Sequence, residues 1–253
     1  MKNKRLTAII LAGGFGTRMD NLTKNKHKTM LSIGGFPILA HLYTQLRINL
    51  IKNIIICVGY KSENINRYLK KKIFHDSDKI LKKIENFKKY DYPIVQTSKL
   101  PPHQSTSQRI YKIRNKIADD DFIFLYGDTL LKPRIKKLHQ LLKKKDIGAA
   151  ITLSKPLPKF GKVILKGDKM LSFFEKKSIN ENWVNSGWCL IRNKYLSLFR
   201  NSKENFENYF FKKMIKNSTV MTVKNNHFYL PIDTKIELKM ANKLWRKNKR
   251  LWF

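Results

Sequence analysis

The feature that most restricts the fold is an alternation that runs through the first 150 or so residues. The stretch "TAIILAGG" (7–14) is a continuous apolar run closed by glycines, the pattern of a strand buried on both faces of a parallel sheet. "KNIIICVGY" (52–60), "DFIFLYGD" (121–128) and "GAAITLSKP" (148–156) repeat it, and "YPIVQT" (92–97) is a shorter strand. Helical patterns fall between these runs. "FPILAHLYTQLRINL" (36–50) has apolar residues at Ile38, Leu39, Leu42 and Leu46, with Pro37 suited to the first turn. "SENINRYLKKKIF" (62–74) reads as one helix with Ser62 as N-cap, followed by "TSQRIYKIRNKI" (106–117) and "RIKKLHQLLKKK" (134–145). Strands and helices in strict turn predict an α/β chain with a single, doubly wound, mostly parallel sheet and helices on both faces.

Beyond Pro158 the texture changes and predicts a small antiparallel extension. "GKVILKGDKMLSFFEKK" (161–177) reads as a hairpin turned at Lys166-Gly167-Asp168, and "WVNSGWCLIRN" (183–193) as one more strand. "NFENYFFKKMI" (205–215) is helical, "TVMTVKNNHFYLPID" (219–233) extended, and "TKIELKMANKLWRKN" (234–248) a closing helix capped by Thr234. No repeat or linker divides the chain, so residues 1–253 are expected to form one domain, with halves meeting near residue 130. The loops around "KLPPHQSTS" and "KSINEN" are expected to be its most mobile parts.

Composition removes several classes. No run approaches the ~20 apolar residues of a membrane span, and the apolar stretch near the start is too short for a signal peptide. Cys57 and Cys189 lie inside apolar runs without metal-ligand spacing, as reduced core thiols of a cytoplasmic protein do. The six histidines never fall in i, i+4 pairs, which argues against zinc. A formal charge of +35, from 53 Lys+Arg against 18 Asp+Glu, would suit a polyanion. The lysines, however, scatter over every segment instead of forming a stripe, and Lys, Asn, Ile and Phe are all abundant. That pattern reads as compositional drift rather than a nucleic-acid surface, although an anionic substrate would profit from the field.

The chemistry concentrates in "LAGGFGTRMDNLTKNKHKTM" (11–30). Three glycines fall within four positions, Arg18 comes two residues later and Lys28 ten residues after that. The third glycine of G-x-G-x-x-G is missing, no acid follows the second strand, and no G-x-x-x-x-G-K-[ST] occurs, so neither familiar glycine loop fits. What remains is a bare backbone whose N–H groups can approach phosphate, beside two fixed cations. A glycine-rich turn with surface cations is the bland alternative.

The whole arrangement resembles the signature of the sugar-1-phosphate nucleotidyltransferases, L-A-G-G-x-G-T-R-[LM], then K-P-M, then a glycine pair and a helix. Thr29 stands where that family usually has proline. Later marks come in the same order: "VGYKSENI" after the second strand, "YGD" ending at Asp128, "FGKV" with Gly161, the pair Glu175–Lys176 in "FFEKK", "VNSGWCLI" with Asn185, and "LPIDT" with Asp233. The stretch 106–113, "TSQRIYKI", is similar to a T-G-G-R-[IL] element of the glucose-1-phosphate cytidylyltransferases, with Ser107 and Gln108 replacing both glycines.

The resemblance implies transfer of a nucleotidyl group from an NTP, favouring CTP, to a sugar 1-phosphate, favouring glucose 1-phosphate. Arg18 and Lys28 would be catalytic, holding the departing phosphates and the α-phosphate. Leu11, Ala12, Gly13, Gly14, Gly16 and Thr17 would bind the nucleotide, with Arg109 reading its base or ribose-phosphate; a helix-surface arginine is the alternative there. Asp128 and Asp233 would share one Mg²⁺, or else merely cap helices. Gly161, Glu175, Lys176 and Asn185 would hold the sugar phosphate, although Glu175 alone could be a surface residue. The implied partners are NTP and sugar 1-phosphate, with no specific nucleic acid, no membrane, and self-association into a homo-oligomer left open. Transfer of a guanylyl group to heptose or mannose 1-phosphate, or an inactive binding protein on the same fold, are the alternatives.

Overall fold

The computed structural model describes residues 6–86, 88–117, 121–156, 162–174 and 183–253. In chain order its first strands are β1 (Leu6–Ala12), β2 (Ser32–Ile33), β3 (Phe36–Pro37), β4 (Asn53–Val58), β5 (Ile94–Lys99), β6 (Asp121–Tyr126) and β7 (Thr129–Leu131). They continue with β8 (Ile147–Ser154), β9 (Lys162–Lys166), β10 (Lys169–Phe174), β11 (Val184–Arg192), β12 (Thr219–Asn225) and β13 (Tyr229–Pro231). The α-helices are α1 (Ile38–Ile48), α2 (Ser62–Lys71), α3 (Ile73–Lys83), α4 (Thr106–Ile113), α5 (Ile135–Leu142), α6 (Phe206–Asn217) and α7 (Lys235–Arg246).

Side chains of β1 alternate between two apolar cores, which is why its sequence carries no polar face. Ala8, Ile10 and Ala12 join the core that contains Leu39 and Leu42 of α1, Ile80 of α3, Leu138 of α5 and Trp245 of α7. Ile9 points to the opposite core, with Ile110 and Ile113 of α4 and Phe206 and Phe210 of α6. The main sheet has seven strands in the order β12-β8-β11-β6-β1-β4-β5. All pairs are parallel except those of β11, which runs antiparallel to both β6 and β8. This is the doubly wound, mostly parallel α/β architecture expected from the alternation.

The chain leaves β1 toward β4 and β5, then returns to place β6 on the other side of β1. The carboxyl ends of β1 and β6 therefore flank a topological switch point, where open α/β sheets leave a crevice for ligands. Antiparallel pairing outside the main sheet is confined, among the described residues, to three two-stranded ladders: β9 with β10, β7 with β13, and β2 with β3. The first turns at Gly167-Asp168, where Gly167 has φ +58°.

Local readings differ from the structure at two places. The helix expected over 62–74 breaks at Lys72, and a separate α3 follows. Buried residues of α2 are Ile65 and Tyr68, and those of α3 begin at Ile73. The step of five positions from Tyr68 to Ile73 does not match the helical period, so one straight axis cannot bury both faces. Ser62 is not the N-cap: Lys61 takes that position in the left-handed region at φ 50°, and the Ser62 hydroxyl donates to Glu63. Thr234, by contrast, caps α7 as expected, in a capping box with Glu237. The segment "KSINEN" lies outside the described residues.

Candidate active site

The cleft forms where β1 and β6 end. β1 continues into Gly13 and Gly14, Gly16 turns the chain at φ +67°, and its carbonyl accepts from the Thr23 hydroxyl at 3.1 Å. Gly127, just past β6, donates its N–H to the Leu11 carbonyl at 2.9 Å. A Cβ there would come within 2.7 Å of that carbonyl oxygen and 2.9 Å of the Thr29 methyl. Only glycine lets the two strand ends close this tightly. At Gly14 a Cβ would meet no protein atom within 4 Å. No contact within the protein requires that position to be bare, and it lines the cleft.

Two distant carboxylates converge here because of a three-residue ladder. β7 follows Asp128 and pairs antiparallel with β13, matching Thr129 with Pro231. The Ile232 N–H donates to the Asp128 carbonyl at 2.9 Å. That pairing carries Asp233 to Asp128. Lys28, on a short 3-10 turn at Lys28–Met30, places its ammonium between them, 2.7 Å from Asp128 Oδ2 and 2.8 Å from Asp233 Oδ1. The other oxygen of Asp233 accepts from Arg18 at 3.2 Å. The resulting cleft, of about 210 Å³, is lined by Leu11, Ala12, Gly13, Gly14, Gly16 and Thr17 on the loop side. Arg18, Lys28, Asp128 and Asp233 supply its charges.

The nucleotidyl transferase family model matches residues 7–233, nearly the whole of this arrangement. The chain belongs to the nucleotidyl transferase family. It is 28% identical to glucose-1-phosphate cytidylyltransferase of Salmonella typhimurium, over 98% of both chains. It is 26% identical to D-glycero-alpha-D-manno-heptose 1-phosphate guanylyltransferase of Aneurinibacillus thermoaerophilus, over 72% of this chain and 73% of that one. The crystal structure of HddC from Yersinia pseudotuberculosis superimposes with a TM-score of 0.70 at 20% identity, covering 94% of this chain and 98% of that one.

Electrostatics in this family member follow from burial against paired charge. Burial alone would lower the Lys28 pKa, but the charge and hydrogen bonds of Asp128 and Asp233 hold it above the ordinary lysine value. The ammonium therefore stays charged. The Tyr229 phenol is pushed up to about 12, first by burial and then by the negative charge of the same two carboxylates. His27 is a cleft residue that histidine spacing alone does not reveal. Its Nδ1 accepts the Thr29 N–H at 3.1 Å and the Thr29 hydroxyl at 2.9 Å, which orients the turn carrying Lys28. Burial lowers its pKa to about 4, so the ring is neutral. The sequence signal was its place next to Lys28, not any metal-type spacing.

Arg109 is buried at the glycine loop and is not a helix-surface arginine. It is not among the residues that line the cleft; its guanidinium packs directly against Gly13. It donates to the carbonyls of Val58 (3.0 Å), Gly13 (3.3 Å), Pro101 (2.8 Å) and Pro102 (3.2 Å). Nor does Asn185 line it. Asn185 sits at the start of β11, on the same edge of the sheet, and its Oδ1 accepts the Gly187 N–H at 2.9 Å. Of the replaced glycines, Ser107 is buried, while Gln108 completes the Ser105 capping box and reaches Asn201 at 3.1 Å. Gly161, Glu175 and Lys176 lie outside the described residues.

Proposed function

We propose that this chain transfers a cytidylyl group from CTP to glucose 1-phosphate, giving CDP-glucose and pyrophosphate. The observation that carries the reaction type is the meeting of Arg18, Lys28, Asp128 and Asp233 under a bare glycine loop at the switch point. The near full-length likeness to the Salmonella typhimurium cytidylyltransferase supports the choice of base and sugar.

The chemistry needs no general base. An oxygen of the sugar phosphate, ionised at neutral pH, attacks the α-phosphorus. The bond from that phosphorus to the bridging oxygen of the β-phosphate breaks, and pyrophosphate leaves with the electron pair. Charge repulsion is the main obstacle: two unit charges 4 Å apart repel by ~4 kcal/mol at an effective dielectric of 20. The protein's work is positioning and neutralisation. Arg18, on an exposed and flexible stem beside the loop, grips the departing β- and γ-phosphates with its planar fork. Lys28 stabilises charge on the α-phosphate. Backbone N–H groups of Gly14, Gly16 and Thr17 approach the phosphates, and Leu11, Ala12 and Gly13 edge the base. Arg109 acts as a positioning residue, fixing Gly13. Gly161, Glu175, Lys176 and Asn185 hold the sugar phosphate.

The donor set fits a magnesium ion. Two carboxylates already converge on one cation, the Lys28 ammonium, and hard oxygen ligands from two carboxylates plus phosphate and water are what magnesium takes. Asp128 and Asp233 would hold it. When bound, it would supply Lewis-acid neutralisation of phosphate charge. A second reading, guanylyl transfer to a heptose 1-phosphate, draws support from the Aneurinibacillus relative and from the loss of both glycines at Ser107 and Gln108.

Pyrophosphate release, measured for each common NTP against glucose, mannose and heptose 1-phosphates, separates these readings. The CTP and glucose 1-phosphate pair is expected to give the highest kcat/KM. A higher value for GTP with the heptose phosphate selects the second reading, and no turnover with any pair in folded protein ends both.

A further inference from the structure

We propose that Lys28 is a built-in counter-cation that occupies the metal position of the ligand-free protein, so that a divalent ion enters only when a triphosphate draws the lysine away. The inference rests on the reading of Asp128 and Asp233 as metal ligands, and it adds an order of events to that reading. The ammonium lies 2.7 Å from one carboxylate and 2.8 Å from the other. A magnesium ion would need oxygens of the same two groups at ~2.0–2.1 Å. Two cations cannot share that space. Even displaced to ~4 Å apart, the divalent ion and the ammonium would repel each other about twice as strongly as two unit charges.

The lysine is also a difficult competitor to remove. Its side chain is only 11% exposed, and its backbone is fixed by the His27–Thr29 turn. It is tethered at high effective concentration, so a free ion must displace an intramolecular partner. Arg18, on Asp233 Oδ2, adds a second cation at the rim. A triphosphate changes the balance twice over. It offers Lys28 a new anion within reach of its flexible four-carbon stem, on the side lined by Gly14, Gly16 and Thr17. It also brings oxygens that complete the shell of the incoming ion. Metal and nucleotide should therefore bind with positive coupling, and by linkage each should raise the affinity of the other by the same factor.

The test uses Mn²⁺ as the metal probe and needs no turnover. Titration of nucleotide-free protein with MnCl₂, followed by electron paramagnetic resonance, is expected to show little binding to the wild type. The variant K28M, which keeps the stem and loses the charge, is expected to bind Mn²⁺ at least tenfold more tightly. Affinity for CTP should rise at least tenfold with Mn²⁺ in the wild type and by a smaller factor in K28M. Equal or weaker Mn²⁺ binding by K28M in the absence of nucleotide overturns the proposal. Should K28M not fold, the wild type decides alone: tight Mn²⁺ binding without nucleotide defeats the counter-cation role, and binding seen only with CTP upholds it. If CTP neither binds nor reacts, the functional reading fails, while the nucleotide-free Mn²⁺ comparison still judges the lysine.

Discussion

Replacing Gly13 with alanine tests how the glycine loop is held, and its effect can be worked from the structure. The new Cβ would lie 2.2 Å from Arg109 Cζ, 2.3 Å from one terminal nitrogen and 2.5 Å from Nε. Ordinary carbon contacts start about 1 Å further out, so the guanidinium must move. It is 3% exposed and spends its hydrogens on four backbone carbonyls. Hydrogen bonds from a charged donor are worth roughly 1.5–3 kcal/mol each. Losing two of them costs about 3 kcal/mol or more, a large part of a typical 5–15 kcal/mol stability. For a chain of this size that corresponds to a fall in Tm of roughly 6–12 °C. Gly14→Ala is the matched control, because its Cβ would meet nothing. Urea unfolding should show Gly13→Ala destabilised by about 3 kcal/mol and Gly14→Ala within about 0.5 kcal/mol of wild type. Nucleotide affinity, measured by calorimetry, should fall in both, since the second methyl intrudes on the ligand's side. A Gly13→Ala/Arg109→Ala cycle should give a coupling above about 1 kcal/mol. Unchanged stability in Gly13→Ala, or equal losses in the two variants, would refute the account of Arg109 as the support of the loop.

Two further outcomes are expected. Asp128→Asn should lower kcat by at least about 100-fold in the pyrophosphate assay, with circular dichroism showing an intact fold; full activity at saturating Mg²⁺ would remove the carboxylate from the metal site. His41 donates from Nε2 to the Ile33 carbonyl at 3.0 Å, accepts the Trp252 indole N–H at Nδ1, and has its pKa lowered by burial to about 4. A depressed histidine contributes stability that is complete above the unfolded value of 6.5 and is lost as pH falls through 4. The loss amounts to about 3 kcal/mol, with His27 adding a similar limb. Urea midpoints between pH 7.5 and 4 should slope accordingly and flatten in His41→Asn, whereas a flat wild-type profile would sink the assignment.

How much of this was legible in the chain depended on range. β1, β4, β6 and β8 declare themselves as unbroken apolar runs because both faces are covered, and Thr234 and Gly167 mark their turns through interactions within three residues. α3 escaped because its few buried apolar positions, Ile73, Ile80 and Leu81, are out of phase with those of α2. Arg109 left two readings open for a related reason: an arginine on an amphipathic helix looks the same whether it meets a ligand, solvent or a neighbouring loop. Its choice among four carbonyls is made by strands far apart in the chain.

By itself the sequence determined the alternation of elements, the bare loop after β1, and the inventory of cations and acids from which a phosphate site could be assembled. Those features are encoded locally, in periodicity and residue type. Tertiary structure alone decided that Asp128 and Asp233, 105 positions apart, share one ammonium, because only the β7–β13 pairing sets their separation. It also decided that the Lys28 ammonium faces both carboxylates, since a buried charge takes an opposite charge that folding brings to it.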